Sequence, residues 1–108
     1  MQVEMFFQQK SVLITGAGSG IGQALALAFA RCGANLGICD IDGVALEKTT
    51  QEVRSKYPDI TVHMQVMDVA NRSEWELFLQ RANDALGSID VVINNAGIEG
   101  SSKPVWAT

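Results

Sequence analysis

Cysteine, histidine and positive charge are all scarce in this chain, and each shortage removes a class of function. Two cysteines, Cys32 and Cys39, cannot build a disulfide framework, and with a single histidine no metal-ligand spacing is available. Both cysteines read as small buried apolar residues of a reducing compartment, which places the protein in the cytoplasm. The longest unbroken apolar stretch, Ala24 to Ala30, is far short of the roughly 20 residues of a membrane span. The N-terminal MQVEMFFQQK carries Glu4 and only the pair Phe6-Phe7, so neither a membrane partner nor a secretory signal is expected. Eight Lys and Arg stand against twelve Asp and Glu, a net charge of −4. A nucleic-acid partner is excluded on that count, because displacing counterions from phosphates needs clustered positive charge. The 108 residues allow one core and no second module.

What is present is an alternation of strand and helix. Ser11–Thr15 (SVLIT) is a short apolar run ending at glycines, which predicts a buried strand. Ile21–Cys32 sets Ile21, Ala24, Leu25, Ala28 and Phe29 at helical spacing, with Gly33 fit for the left-handed position beyond the helix. Asn35–Asp40 is a second strand. Val44–Tyr57 aligns Leu46, Thr50, Val53 and Tyr57 on one helical face, and Pro58 stops it. Ile60–Val66 and Ile89–Ile93 are further strands. Between them a helix is predicted to open at Ser73, which has capping-box spacing to Glu76, and to close at Gly87. Strands separated by helices imply parallel pairing with right-handed crossovers, hence an open α/β sheet. No internal repeat occurs, and residues 99–108 read as loop.

The first strand runs into TGAGSGIG, with glycines at 16, 18, 20 and 22. Glycine between a strand and a helix lets backbone amides approach a ligand closely. The helix start beyond it offers unpaired N–H groups and about half a positive charge, which suits a diphosphate. Gly22 is followed by Gln23 and Ala24, so the Gly-Lys-Ser/Thr loop of nucleotide hydrolases is not this one. A GxGxxG pattern begun at Gly16 fails at Ile21; the arrangement that fits is Gly16-x-x-x-Gly20-x-Gly22, preceded by Thr15. Asp40 ends the second strand, 18 residues beyond Gly22, where a carboxylate accepts from both hydroxyls of an adenosine ribose. Asp42 is better placed than Asp40 to cap the next helix. The Asp40 charge would repel a 2′-phosphate, and no Arg or Lys follows it, so the expected cofactor is NAD rather than NADP.

With TGAGSGIG, Asp40, Asp68-Val69 and Asn94–Gly97 (NNAG) in this order, the sequence resembles the short-chain dehydrogenase/reductase family from Lys10 to about Gly100. The resemblance implies a Rossmann-type parallel sheet of strand order 3-2-1-4, truncated after the fourth strand. It implies that Gly16, Ser19, Gly20, Ile21 and Gly22 line the pyrophosphate and nicotinamide ribose, and that Asp40 holds the adenosine ribose. Asp68 and Val69 would flank the adenine, and Asn95, Ala96 and Gly97 would form the strand end beside the cofactor ribose.

The family's proton chemistry belongs to an Asn, a Ser and a Tyr-x-x-x-Lys pair, and no catalytic residue carries over. The sole tyrosine, Tyr57, is followed four residues later by Thr61, and His63, alone in a strand, reads as surface or packing. The resemblance therefore implies the N-terminal, NAD-binding part, residues 1–108, of an enzyme whose complete form passes a hydride between the nicotinamide and a secondary alcohol or ketone, its small-molecule substrate. By itself the segment is expected to lack turnover. Its fourth strand would present an open apolar edge, inviting a homo-oligomer or other association. Two other readings compete: a non-catalytic nucleotide-binding or interaction module, and a methyltransferase using S-adenosylmethionine. Thr15 and NNAG stand where such methyltransferases carry an acidic residue and a proline-aromatic motif.

Overall fold

In the computed structural model, residues 6–96 are described. They form β1 (Ser11–Thr15), α1 (Gly20–Arg31), β2 (Asn35–Asp40), α2 (Gly43–Lys56), β3 (Val62–Val66), α3 (Arg72–Leu86) and β4 (Val91–Ile93). The strands make one parallel sheet in the order β3-β2-β1-β4, as predicted. Ser11 to Thr15 pair in step with Asn35 to Cys39, and Val12 to Ile14 with Val91 to Ile93. Asp90 fixes that second register from outside the strand: its carboxylate accepts from Ser11 N–H at 2.8 Å and its own N–H donates to Ser11 carbonyl at 2.9 Å.

Alternation along β1 and β2 divides the core between the two sheet faces. Val12, Ile14, Leu36 and Ile38 meet Ala26 and Ala30 of α1 and Leu46 and Val53 of α2. Leu13 and Cys39 meet Trp75, Phe78 and Ala82 of α3. Gly37 lies on the α3 face, where a Cβ would strike Leu13 Cδ2 and come within 3.3 Å of Ala82 Cβ. A side chain at 37 would force Leu13 to shift and crowd Ala82 of α3. Burial pushes the Cys39 thiol up to about 12, with the neighbouring Asp40 charge adding to it.

Two local expectations are corrected. The buried face of α1 is Gly22, Ala26 and Ala30, not the stripe through Ile21, Ala24 and Ala28; Ile21 is 57% exposed, and Leu25 and Phe29 are half-buried flanks. Small residues win that face because the helix starts against the glycine loop and stays close to the sheet. The third helix begins at Arg72, capped by Asn71, whose side chain accepts from Glu74 N–H at 3.1 Å. Ser73 lies inside the first turn. An Asp68 turn, with Ala70 N–H on its carboxylate and Asn71 N–H on its carbonyl, brings the chain into helical geometry before Ser73. Gly87, at φ +86°, closes α3 as expected. His63 packs face to face with Phe78, ring centroids 6.1 Å apart.

Candidate functional site

All strands point the same way, so the glycine loop, Asp40, Asp68-Val69 and Asn94–Ala96 converge at the carboxyl end of the sheet. β1 is joined in sequence to β2 on one side and pairs with β4 on the other. The crevice at such a reversal is where open α/β sheets bind ligands.

The glycine loop is a hydrogen-bonded turn. Gly16, at φ +64°, occupies the left-handed region that a side chain would strain. Ser19 caps α1: its hydroxyl donates to Gly16 carbonyl at 2.8 Å and accepts from Gly22 N–H at 3.2 Å. Ser19 carbonyl takes Gln23 N–H at 2.7 Å. The remaining first-turn N–H groups, those of Gly20 and Ile21, are ones that helix geometry leaves without an intrahelical acceptor. No heavy atom lies within 4 Å of where a Cβ on Gly20 would sit, so the space beside that residue is open. A Cβ on Gly22, by contrast, would fall on Gly16 carbonyl oxygen.

Asn94 to Ala96 brace this loop from β4. Thr15 hydroxyl donates to Asn94 Oδ1 at 3.1 Å and accepts from Ala96 N–H at 2.9 Å. Asn95, fully buried, donates through Nδ2 to Gly16 carbonyl at 3.2 Å and to Ser19 Oγ at 3.3 Å. Its Oδ1 is buried without a hydrogen-bond partner among the described residues, a spare acceptor beside the loop. Gly97, the last expected site residue, lies outside the described residues.

Asp40 closes the other side. One carboxylate oxygen accepts from Gly18 N–H at 2.8 Å and the other from Asp42 N–H at 2.9 Å. Asp42, as expected, is the cap of α2, accepting from Val44 and Ala45 N–H. Each Asp40 oxygen has lone-pair capacity beyond its one amide bond, so two hydroxyls can still be accepted. Beyond Asp40 stand Ile41 (68% exposed), Val44 and Val66, an apolar rim suited to the face of a flat ring. Ile41 is an apolar residue directly after a strand-ending acid, a pattern already present in the sequence. Asp68 reaches the same end because Met67 N–H donates to Asp40 carbonyl at 3.0 Å. One of its oxygens is tied to Ala70 N–H, and Val69 is half-buried against the Trp75 cluster.

Beside the loop, α1 and α2 diverge into a cleft of about 590 Å³ bordered by Gly18, Gln23, Ala45, Lys48, Thr49 and Glu52. Gln23 Nε2 donates to Glu52 there, and the hydrogen bond from Lys56 holds the Glu52 carboxyl below its ordinary range. Among the described residues no helix is long and apolar enough to cross a membrane, and no group of His, Cys, Asp and Glu could hold a metal ion.

Residues 10–106 match the family described as short chain dehydrogenase, and the chain belongs to that family. Levodione reductase of Leifsonia aquatica is 39% identical over 98 residues, covering 91% of this chain and 37% of that protein. The crystal structure of levodione reductase superposes with a TM-score of 0.81 at 38% identity, over 94% of this chain and 39% of that one. The structure of NAD⁺-bound xylitol dehydrogenase does so with a TM-score of 0.75 at 32% identity, over 80% and 32%. The chain thus spans about a third of the length of these relatives. Family membership sets aside the methyltransferase reading.

Proposed function

We propose that residues 1–108 are the NAD(H)-holding part of a short-chain dehydrogenase/reductase whose complete form oxidises a secondary alcohol or reduces a ketone. The observation that carries this reading is the Asp40 carboxylate, fixed beside Gly18 with acceptor capacity left over, next to the N-terminus of α1. Asp40 would accept from the two hydroxyls of the adenosine ribose. The N–H groups of Gly20 and Ile21 would receive the diphosphate, with Gly16, Ser19 and Gly22 shaping the loop behind them. Asp68, Val69 and the Ile41 rim would enclose the adenine, and Asn95, Ala96 and Gly97 the nicotinamide-side ribose. The bound cofactor supplies the hydride chemistry; these residues bind and orient it.

The choice of NAD over NADP rests on charge. A 2′-phosphate would meet the Asp40 carboxylate, and Ile41 and Asp42 offer no cation beside it. Two free cysteines, one of them fully buried, accord with a reducing cytoplasm. Within these 108 residues no Tyr-x-x-x-Lys pair occurs, so the segment binds without turnover. Calorimetric titration with NAD⁺, followed by a dehydrogenase assay on simple secondary alcohols, should give binding and no NADH. Absence of binding, or alcohol-dependent NADH formation, would overturn the reading.

A further inference from the structure

Two threonines stand side by side on α2, both about 1% exposed, and their hydroxyls do different things. Thr50 donates to Leu46 carbonyl at 2.8 Å, one turn back in its own helix. Thr49 instead leaves the helix and donates to Ala17 carbonyl, inside the glycine loop, at 2.9 Å. That carbonyl shares a peptide plane with Gly18 N–H, the group that donates to Asp40 at 2.8 Å. Ala17 N–H is held in turn by Cys39 carbonyl at 3.0 Å. The 17–18 peptide is therefore gripped at both ends, by a hydroxyl of α2 and by the carboxylate that ends β2.

The peptide has little else to prevent it turning. Gly18 lacks the Cβ that would limit its backbone, and none could be added, since it would lie 2.7 Å from Ala45 Cβ and 2.9 Å from Leu46 N. The loop thus rests flat on α2, and orientation comes from hydrogen bonds rather than side-chain bulk. Rotation of the peptide would leave Ala17 carbonyl buried without a donor and carry Gly18 N–H away from Asp40.

We propose that Thr49 is a positioning residue for adenosine-ribose recognition: its hydroxyl locks the 17–18 peptide, and Gly18 N–H then fixes the Asp40 carboxylate toward the ribose diol. The proposal rests on the ribose role given to Asp40 above, but the peptide lock has its own readout. Thr49 touches no cofactor atom in this account and acts through Gly18 and Asp40.

The test compares Thr49→Val, which keeps shape and removes the hydroxyl, with Thr49→Ser, which keeps the hydroxyl, and with Thr50→Val as a neighbouring control. Amide hydrogen exchange at Gly18 in the ligand-free chain should quicken about tenfold or more in Thr49→Val, as expected for loss of a net hydrogen bond, and stay within about twofold in the other two. Binding of NAD⁺ and of its 2′-deoxyadenosine analogue is then measured for each chain. The unsubstituted chain should favour NAD⁺ by about tenfold, the scale of one charge-assisted hydrogen bond. In Thr49→Val that ratio should collapse toward one, with Thr49→Ser restoring it; a general loss of stability would weaken both ligands alike. Unchanged Gly18 exchange, or an unchanged ligand ratio in Thr49→Val, overturns the proposal. Failure of the unsubstituted chain to bind NAD⁺ overturns the cofactor reading, while Gly18 exchange still decides whether Thr49 locks the loop.

Discussion

Gly20 and Gly22 lie two residues apart in the first turn of α1, yet alanine should have opposite consequences at the two positions. At Gly22 a Cβ falls on Gly16 carbonyl oxygen, 2.7 Å from Gly16 C and 2.8 Å from Ala17 Cα. Every one of those atoms is backbone, so the start of α1 must retreat from the loop. Retreat breaks the cluster in which Ser19 hydroxyl bridges Gly22 N–H to Gly16 carbonyl and Asn95 donates to that carbonyl. Overpacking of this kind costs about 1–3 kcal/mol and each of the three lost hydrogen bonds about 1 kcal/mol, which together give roughly 4–6 kcal/mol. That is a large share of the ~5–15 kcal/mol that holds a typical domain together, and corresponds to a fall in Tm of about 16 °C or more. At Gly20 nothing lies within 4 Å of the added methyl, so Gly20→Ala should be neutral or stabilising by up to ~1 kcal/mol through the unfolded chain. The same methyl would occupy the space before the helix N-terminus and weaken NAD⁺ binding. Urea unfolding followed by circular dichroism, with NAD⁺ calorimetry on Gly20→Ala, separates the two. A Gly22→Ala chain within ~0.5 kcal/mol of the parent, the ordinary range for a substitution that meets nothing, would refute the reasoning.

Two further outcomes follow from the same geometry. Asp40→Asn removes the charge that opposes a 2′-phosphate, an interaction of about 4 kcal/mol at ~4 Å and an effective dielectric of ~20 before screening. NAD⁺ affinity should fall and the preference for NAD⁺ over NADP⁺ shrink by about tenfold or more on that scale; calorimetry showing an unaltered preference would contradict the role given to the carboxylate. The Cys39 thiol, ordinarily at 9.0, is pushed up to about 12 in the folded chain. The folded state therefore keeps a proton that the unfolded state releases, and stability should decline between those two pH values. Urea midpoints across that range should decline less steeply in Cys39→Ala than in the parent, and equal slopes would speak against burial as the cause.

The sheet was legible because its signals are local. Apolar runs end at glycines, helices are punctuated by Gly33, Pro58 and Gly87, and Asp40 and Asp42 divide strand end and helix cap between them. The α1 face was misjudged because the helix packs through its smallest residues, Gly22, Ala26 and Ala30, while apolarity alone favours Ile21 and its neighbours. The cap of α3 was misplaced because Asn71 and Ser73 both stand three residues before a glutamate, and only the Asp68 turn selects between them. Gly37, Asp90 and Thr49 were silent for another reason. Each acts on a residue distant in the chain, on Ala82, Ser11 and Ala17 respectively, and no periodicity encodes such a pairing.

The central claim is that the carboxyl end of this sheet holds NAD by its adenosine diphosphate half. Titration of the isotopically labelled chain with NAD⁺, read residue by residue through its amide resonances, tests it most directly. The account predicts saturable shifts at the amides of residues 16–22, 40–42 and 68–69, reproduced by ADP-ribose and far weaker with NADP⁺. No saturable shift there, or shifts centred on another face of the sheet, would contradict it.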